Sequence, residues 1–115
     1  MRPLFHPSID EVRLEAILHA LSDPVRVAIF ADIARATCPQ TCSAFSSVND
    51  QKIPKSSLSQ HFKVLREAGL IRSERQGVEM HNSPRCMEIE NRFPGLVPAI
   101  INAHAVEARG ESVDA

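Results

Sequence analysis

Between residues 55 and 75, KSSLSQHFKVLREAGLIRSER, apolar positions recur with the period of a helix and then change to that of a strand. Leu58, Phe62 and Leu65 stand at i, i+4 and i+7, which places them on one stripe of an α-helix. Lys55, Ser56, Ser59, Gln60 and Lys63 fall on the other side. Ala68-Gly69 closes the helix, glycine being the usual residue for a left-handed C-terminal position. Leu70, Ile71 and Arg72 then begin an extended run, Gln76-Gly77 offers a turn, and residues 78–82 return as a second strand.

The same reading along the rest of the chain predicts a mainly helical domain. Residues 9–21 form a first helix, with Ser8 as N-cap and Asp10 and Glu11 in its positive first turn. Its apolar residues lie on more than one side, enough to serve both a core and a dimer interface. Ser22-Asp23-Pro24 interrupts the chain, and a second helix runs to about Ala36 with Val25, Ala28, Ile29, Phe30 and Ile33 on its core side. Residues 37–54 are the least regular stretch. After Ser83-Pro84, a short helix is expected over 86–92, because the residue before Pro94 is pushed out of helical geometry. A final helix over 95–108 carries Leu96, Val97, Ile100, Ile101 and Val106, which can pair with the first helix across a two-fold axis. Residues 109–115 read as a frayed tail. The predicted fold is therefore mainly α with a small β-hairpin. It reads as a winged helix-turn-helix in one domain over 1–115, with the wing at 70–83 and dimerisation through 9–21 and 95–108.

Charge changes this picture only when it is read locally. The 115 residues carry a formal charge of −1, which taken alone disfavours a polyanionic partner. Residues 1–51 hold 4 basic and 6 acidic side chains, residues 52–85 hold 7 and 3, and residues 86–115 hold 2 and 5. The centre is thus +4 between flanks of −2 and −3, and distant charges are screened over ~8–10 Å at physiological salt. A basic centre that contains a polar-faced helix suits double-stranded DNA, with Ser, Gln and His for base edges and Lys and Arg for phosphates. No apolar run is long enough to span a membrane, and the N-terminus lacks the apolar stretch of a signal peptide, so a cytoplasmic protein is expected. There is no Gly-rich phosphate loop, nucleophile elbow or metalloenzyme cluster, and an enzyme is not expected.

LSQHFKVLREAGLI, together with ALSDPVRVAIFADIA upstream, resembles the arsenic-repressor (ArsR/SmtB) family of bacterial winged-helix transcription factors over residues 14–84. The resemblance implies a homodimer that regulates a promoter, most often as a repressor, with a metal or redox effector in many members. It implies a scaffold helix at about 42–48 that supports the recognition helix, so that the helix-turn-helix spans 42–68. The DNA-contacting candidates are Lys55, Ser56, Ser57, Ser59, Gln60, His61 and Lys63 from the helix, with Arg72, Arg75 and Gln76 from the wing. His61 borders the apolar stripe, so packing and base contact both stand as its role. Arg26 matches a family arginine, with a phosphate contact and an ion pair both open. Pro54 replaces a commonly seen capping serine. The rival reading is a winged-helix module that binds another protein, since fold alone does not fix function.

Cys38 and Cys42 are the candidates for sensing. Two thiolates four residues apart suit a soft metal or metalloid, or a disulfide, but Pro39 interrupts a helix through both. The C-x-C box usual in the family is missing, and ordinary small residues remain the alternative. His104 and Glu107 form an H-x-x-E pair like that of zinc-sensing relatives, but residues 91–93 supply no partner ligands for a four-coordinate site. The effector, and any cofactor, is unknown from the sequence.

Overall fold

The computed structural model describes residues 5–35, 40–41, 47–48 and 51–108. Where the apolar pattern predicted one helix over 9–21, the chain makes a single 3-10 turn, Ile9–Glu11, and then a helix α1, Leu14–Ala20. Between them Val12 and Arg13 are extended, with ψ of 129° and 145°. The reason lies in the core. Val12 is buried against Gly69, where an added Cβ would sit 2.4 Å from Val12 Cγ2. A continuous helix would turn Val12 away from that contact. The Glu11 carboxylate accepts from the Ser8 backbone N–H at 3.1 Å and from its hydroxyl at 3.0 Å, which secures the turn.

Helix α2, Pro24–Arg35, is the centre of the core, with Ala28, Ile29, Phe30, Ala31 and Ile33 buried. It starts as the sequence predicts. Asp23 Oδ1 accepts from the N–H groups of Val25 and Arg26 at 2.8 and 3.2 Å, and Pro24 occupies a first-turn position whose N–H needs no partner.

The stretch after α2 differs from expectation. Of the scaffold helix expected at 42–48, residues 42–46 lie outside the described ones, and Ser47–Val48 is a strand, β2. It pairs antiparallel with β3, Gln51–Lys52. Gln40–Thr41 forms a further strand, β1. Ser47 and Val48, with strand partners at Gln51–Lys52, favour extended backbone over helix at these two positions.

Helix α3, Lys55–Glu67, follows, with Leu58, Phe62 and Leu65 buried as the spacing predicts. Pro54 precedes it with extended geometry and no side-chain cap, and its carbonyl accepts from Leu58 N–H. The C-terminus closes through Gly69 at φ +86°, with Gly69 N–H bonding Arg66 O and Leu70 N–H bonding Leu65 O. That pair of bonds defines a Schellman motif.

Strands β4, Ile71–Gln76, and β5, Glu79–Pro84, form the wing. Its two-residue loop is Gly77-Val78, one position later than expected, because Gln76 pairs with Glu79 and Gly77 supplies the positive φ of +65°. The sheet order is β1-β5-β4, which leaves β4 on an edge. Helices α4, Cys86–Arg92, and α5, Leu96–Ala108, match the expected 86–92 and 95–108 closely, and Phe93 between them is non-helical before Pro94.

Three polar contacts tie the N-terminal segment across the later elements. His6 Nε2 accepts from Ser73 N–H at 3.0 Å, Pro7 O accepts from Arg85 Nη1 at 2.8 Å, and Val12 O accepts from Arg92 Nε at 2.8 Å. Among the described residues no helix is long and apolar enough to cross a membrane.

Candidate nucleic-acid interface

Helix α3 carries an exposed face opposite its buried stripe. Lys55, Ser56, Ser59, Gln60 and Lys63 are all exposed, while Ser57 and His61 are half-buried at its margin. The geometry follows from the helical period: burying Leu58, Phe62 and Leu65 against α2 and the wing base turns residues 56, 59, 60 and 63 outward together. Short hydroxyls and an amide lie in the middle of this face, with lysines at both ends. That arrangement can meet base-edge donors and acceptors while the lysines reach backbone phosphates. No hydrogen bond or ion pair engages Lys55 or Lys63 among the described residues.

His61 sits where the face meets the core. Its Nδ1 is buried with no hydrogen-bond partner among the described residues, so one edge of the ring is committed to the interior. Asp23, at the start of α2, feels it. Burial pushes the Asp23 carboxyl up, but the N–H groups of Arg26 and Val25, with the charges of Arg26 and His61, together hold it below the usual range.

Arg26 is a structural residue. Its Nε donates to Ala20 O at 2.7 Å and its Nη2 to His19 O at 3.3 Å, so it caps the C-terminal carbonyls of α1. Its guanidinium also lies 3.9 Å from Asp23.

The wing is less basic than the central charge excess suggests. Arg72 and Arg75 are balanced by Glu74 and Glu79 within the hairpin, and all four are exposed. Strand alternation puts Arg72 and Gln76 on one face and Arg75 on the other, so the three wing candidates do not form one cluster. Arg72 leans toward α4, 3.6 Å from Glu88. Arg85 is buried, donating to Glu88 at 2.8 and 3.2 Å. These bonds hold the Glu88 carboxyl below the usual carboxylate range, against an upward push from burial, with the charges of Arg85 and Arg72 adding to the effect. Much of the local positive charge is therefore spent on architecture, and Arg75 is the wing cation best placed for an outside partner. Val78, 95% exposed, forms the tip; pattern reading placed it in a strand and gave it no role.

Sequence reasoning also missed Ser73 and Asn82, two buried polar residues at the base of the wing. The only signal available was that Ser73 falls in phase with Ile71, on the inward side of the alternation.

Cys38 and Cys42 lie outside the described residues. Cys86 is half-buried, and burial pushes its thiol up against a weaker pull from a backbone hydrogen bond, which leaves it poorly suited to act as a thiolate. His104 is half-buried and Glu107 exposed on α5. Among the described residues no three His, Cys, Asp or Glu side chains converge as a metal-holding group.

Comparison with known proteins bears on this geometry. A family model described as a helix-turn-helix domain matches residues 21–74, which span α2 through the first wing strand. No curated protein sequence gives a significant match. Among solved structures, the chain is similar to an ArsR-like transcriptional regulator from Rhodococcus sp. RHA1, with a TM-score of 0.57 and 23% identity over 87% of this chain and 94% of that one. It is similar to Rv0081 of M. tuberculosis, with a TM-score of 0.60 and 22% identity over 90% and 98%. A third likeness is to reduced HlyU from Vibrio cholerae N16961, with a TM-score of 0.54 and 19% identity over 69% and 86%. Residues 21–74 thus match a helix-turn-helix domain, and the chain as a whole has the winged-helix fold seen in the ArsR-like regulator from Rhodococcus sp. RHA1.

Proposed function

We propose that this chain is a sequence-specific DNA-binding transcription regulator that acts as a homodimeric repressor. The observation that carries the reading is the exposed face of α3, where Ser56, Ser59 and Gln60 lie between Lys55 and Lys63. Base-side recognition falls to Ser56, Ser59 and Gln60, with Ser57 and His61 at the margin. Lys55, Lys63, Arg72, Arg75 and Gln76 bind the backbone. The helix-turn-helix match and the likeness in fold to an ArsR-like regulator support a transcription regulator rather than an enzyme, working in the cytoplasm beside its promoter.

Two features support a dimer. Leu14 and Leu18, one turn apart on α1, are 40% and 49% exposed, and α5 is apolar over most of its length. Packing α1 and α5 against a second copy would cover both. A two-fold dimer reads two half-sites about one helical turn, near 10 bp, or a multiple apart. The test is footprinting on the DNA flanking the protein's own gene, followed by affinity measured across a salt series. Steep salt dependence is expected of a duplex binder.

The balanced charge of the wing favours one second reading, a winged-helix module that binds a protein. Binding to a protein that ignores salt, with no duplex retained, would support it.

For an effector, Cys38 and Cys42 are the residues to examine, through a metalloid, a soft metal or thiol oxidation. One structural neighbour is described as reduced HlyU, which keeps the redox alternative in play. Operator release by arsenite, cadmium or mild oxidant that persists in a Cys38→Ser/Cys42→Ser protein would remove the pair from consideration.

A further inference from the structure

Ser73 is the meeting point of four segments. It is 3% exposed, and its register partner Asn82 on β5 is fully buried. The Ser73 hydroxyl donates to Asn82 Oδ1 at 2.7 Å and accepts a long bond, 3.5 Å, from Arg66 Nη1 in the last turn of α3. Its backbone N–H, on the open edge of β4, donates to His6 Nε2 at 3.0 Å. One side chain and its peptide thereby connect the recognition helix, both wing strands and the N-terminal segment.

We propose that Ser73, with Asn82, Arg66 and His6, is a positioning junction that fixes the angle between α3 and the wing for DNA binding. The inference rests on the reading that the two elements engage one duplex together. Apolar contacts at the same joint, among Phe62, Leu65, Leu70 and Ile71, are non-directional and allow a pivot. Hydrogen bonds weaken steeply with angle and so resist one. A buried Ser–Asn pair costs desolvation that an apolar pair would avoid, and its partners must be in place to offset that cost. Orientation is what the polar pair adds.

Leverage makes orientation matter. Arg75 lies two residues beyond Ser73, ~7 Å along the strand, and the loop about twice as far. A 15° pivot, taken as roughly the size of a modest hinge, shifts Arg75 by ~2 Å and the tip by ~4 Å at that strand spacing. The first shift already takes a guanidinium out of hydrogen-bond range of a phosphate.

The experiment is a double-mutant cycle on a duplex that the wild-type protein selects from a random-sequence pool. Ser73→Ala is expected to weaken binding about tenfold. Arg75→Ala, made in the Ser73→Ala background, should lose at least two-thirds of the effect it has alone, because a displaced wing no longer places Arg75 on its phosphate. A merely structural Ser73 gives independent effects, and full additivity would overturn the proposal. If Ser73→Ala fails to fold, His6→Ala leaves the buried pair intact and carries the same cycle, with the same coupling expected and additivity again fatal. Wild-type protein that selects no duplex overturns the DNA-binding reading and this inference with it. Clean binding with an additive cycle overturns the inference alone.

Discussion

Gln60 and Arg75 differ in what each is asked to supply. Gln60 stands in the middle of the exposed α3 face, where a planar amide can bond two base-edge atoms. Gln60→Ala should relax preference at one base position by ~1–3 kcal/mol if the contact is bidentate. Arg75→Ala should weaken all duplexes alike and lower the salt slope by about one. Binding measured on single-base variants of the footprinted site, across salt, separates the two. A change of sequence preference from Arg75→Ala, with none from Gln60→Ala, would reverse the assignment. Gly69 is a residue of another kind, since its requirement is geometric. With φ at +86° and Val12 2.4 Å from an added Cβ, Gly69→Ala meets both backbone strain and a clash, and a loss of ~1–3 kcal/mol in denaturant unfolding is expected. Asp23 contributes through its charge. Its carboxyl titrates below the ordinary value in the folded chain. The stability it provides is therefore complete above the unfolded value, near pH ~4, and is lost as pH falls through the folded one. Asp23→Ala should cost ~1 kcal/mol at neutral pH, and that cost should shrink as the solution is acidified below pH ~4.

At the scale of elements, legibility followed the strength of the local signal. Helix α3 was readable because its stripe, its closing glycine and its exposed polar face all agree, while Pro54 in place of a capping serine left its start open. α4 and α5 were readable because Phe93-Pro94 marks the break between them. The first helix was misjudged. Its apolar periodicity is genuine, but Val12 is held extended by a contact with Gly69, 57 positions later, and no local pattern encodes that. Of the scaffold helix expected at 42–48, residues 42–46 lie outside the described ones, and 47–48 form a strand. Residues 37–54 have no periodicity, and the expectation came from resemblance, whereas the Ser, Thr and Val at hand suit the strands seen at 40–41 and 47–48. On the interface, the α3 face was legible because helical spacing alone sorts exposed from buried. The wing was not, because side-chain pairing decides which cations remain available. Arg72 turns to Glu88 and Arg85 is buried beside it, and neither is visible in a count of charges.

For the molecule as a whole, the dimer proposal stands on the exposed leucines of α1. Leu18→Glu places a charge in the middle of that surface, and at micromolar concentration it should convert a sedimenting dimer to a monomer. Operator affinity should fall with it, since each half-site then binds alone. A wild-type chain that sediments as a monomer with and without DNA would end the two-fold reading. The ties from His6, Pro7 and Val12 to Ser73, Arg85 and Arg92 bear on the order in which the molecule is made. They bridge separations of 67, 78 and 80 residues. A ribosome adding ~5–20 residues per second needs roughly 4–16 s to cover such a distance. The segment from His6 to Val12 therefore waits for residues 73–92 before it can dock, and the edge of β4 stays open to other strands until His6 reaches Ser73.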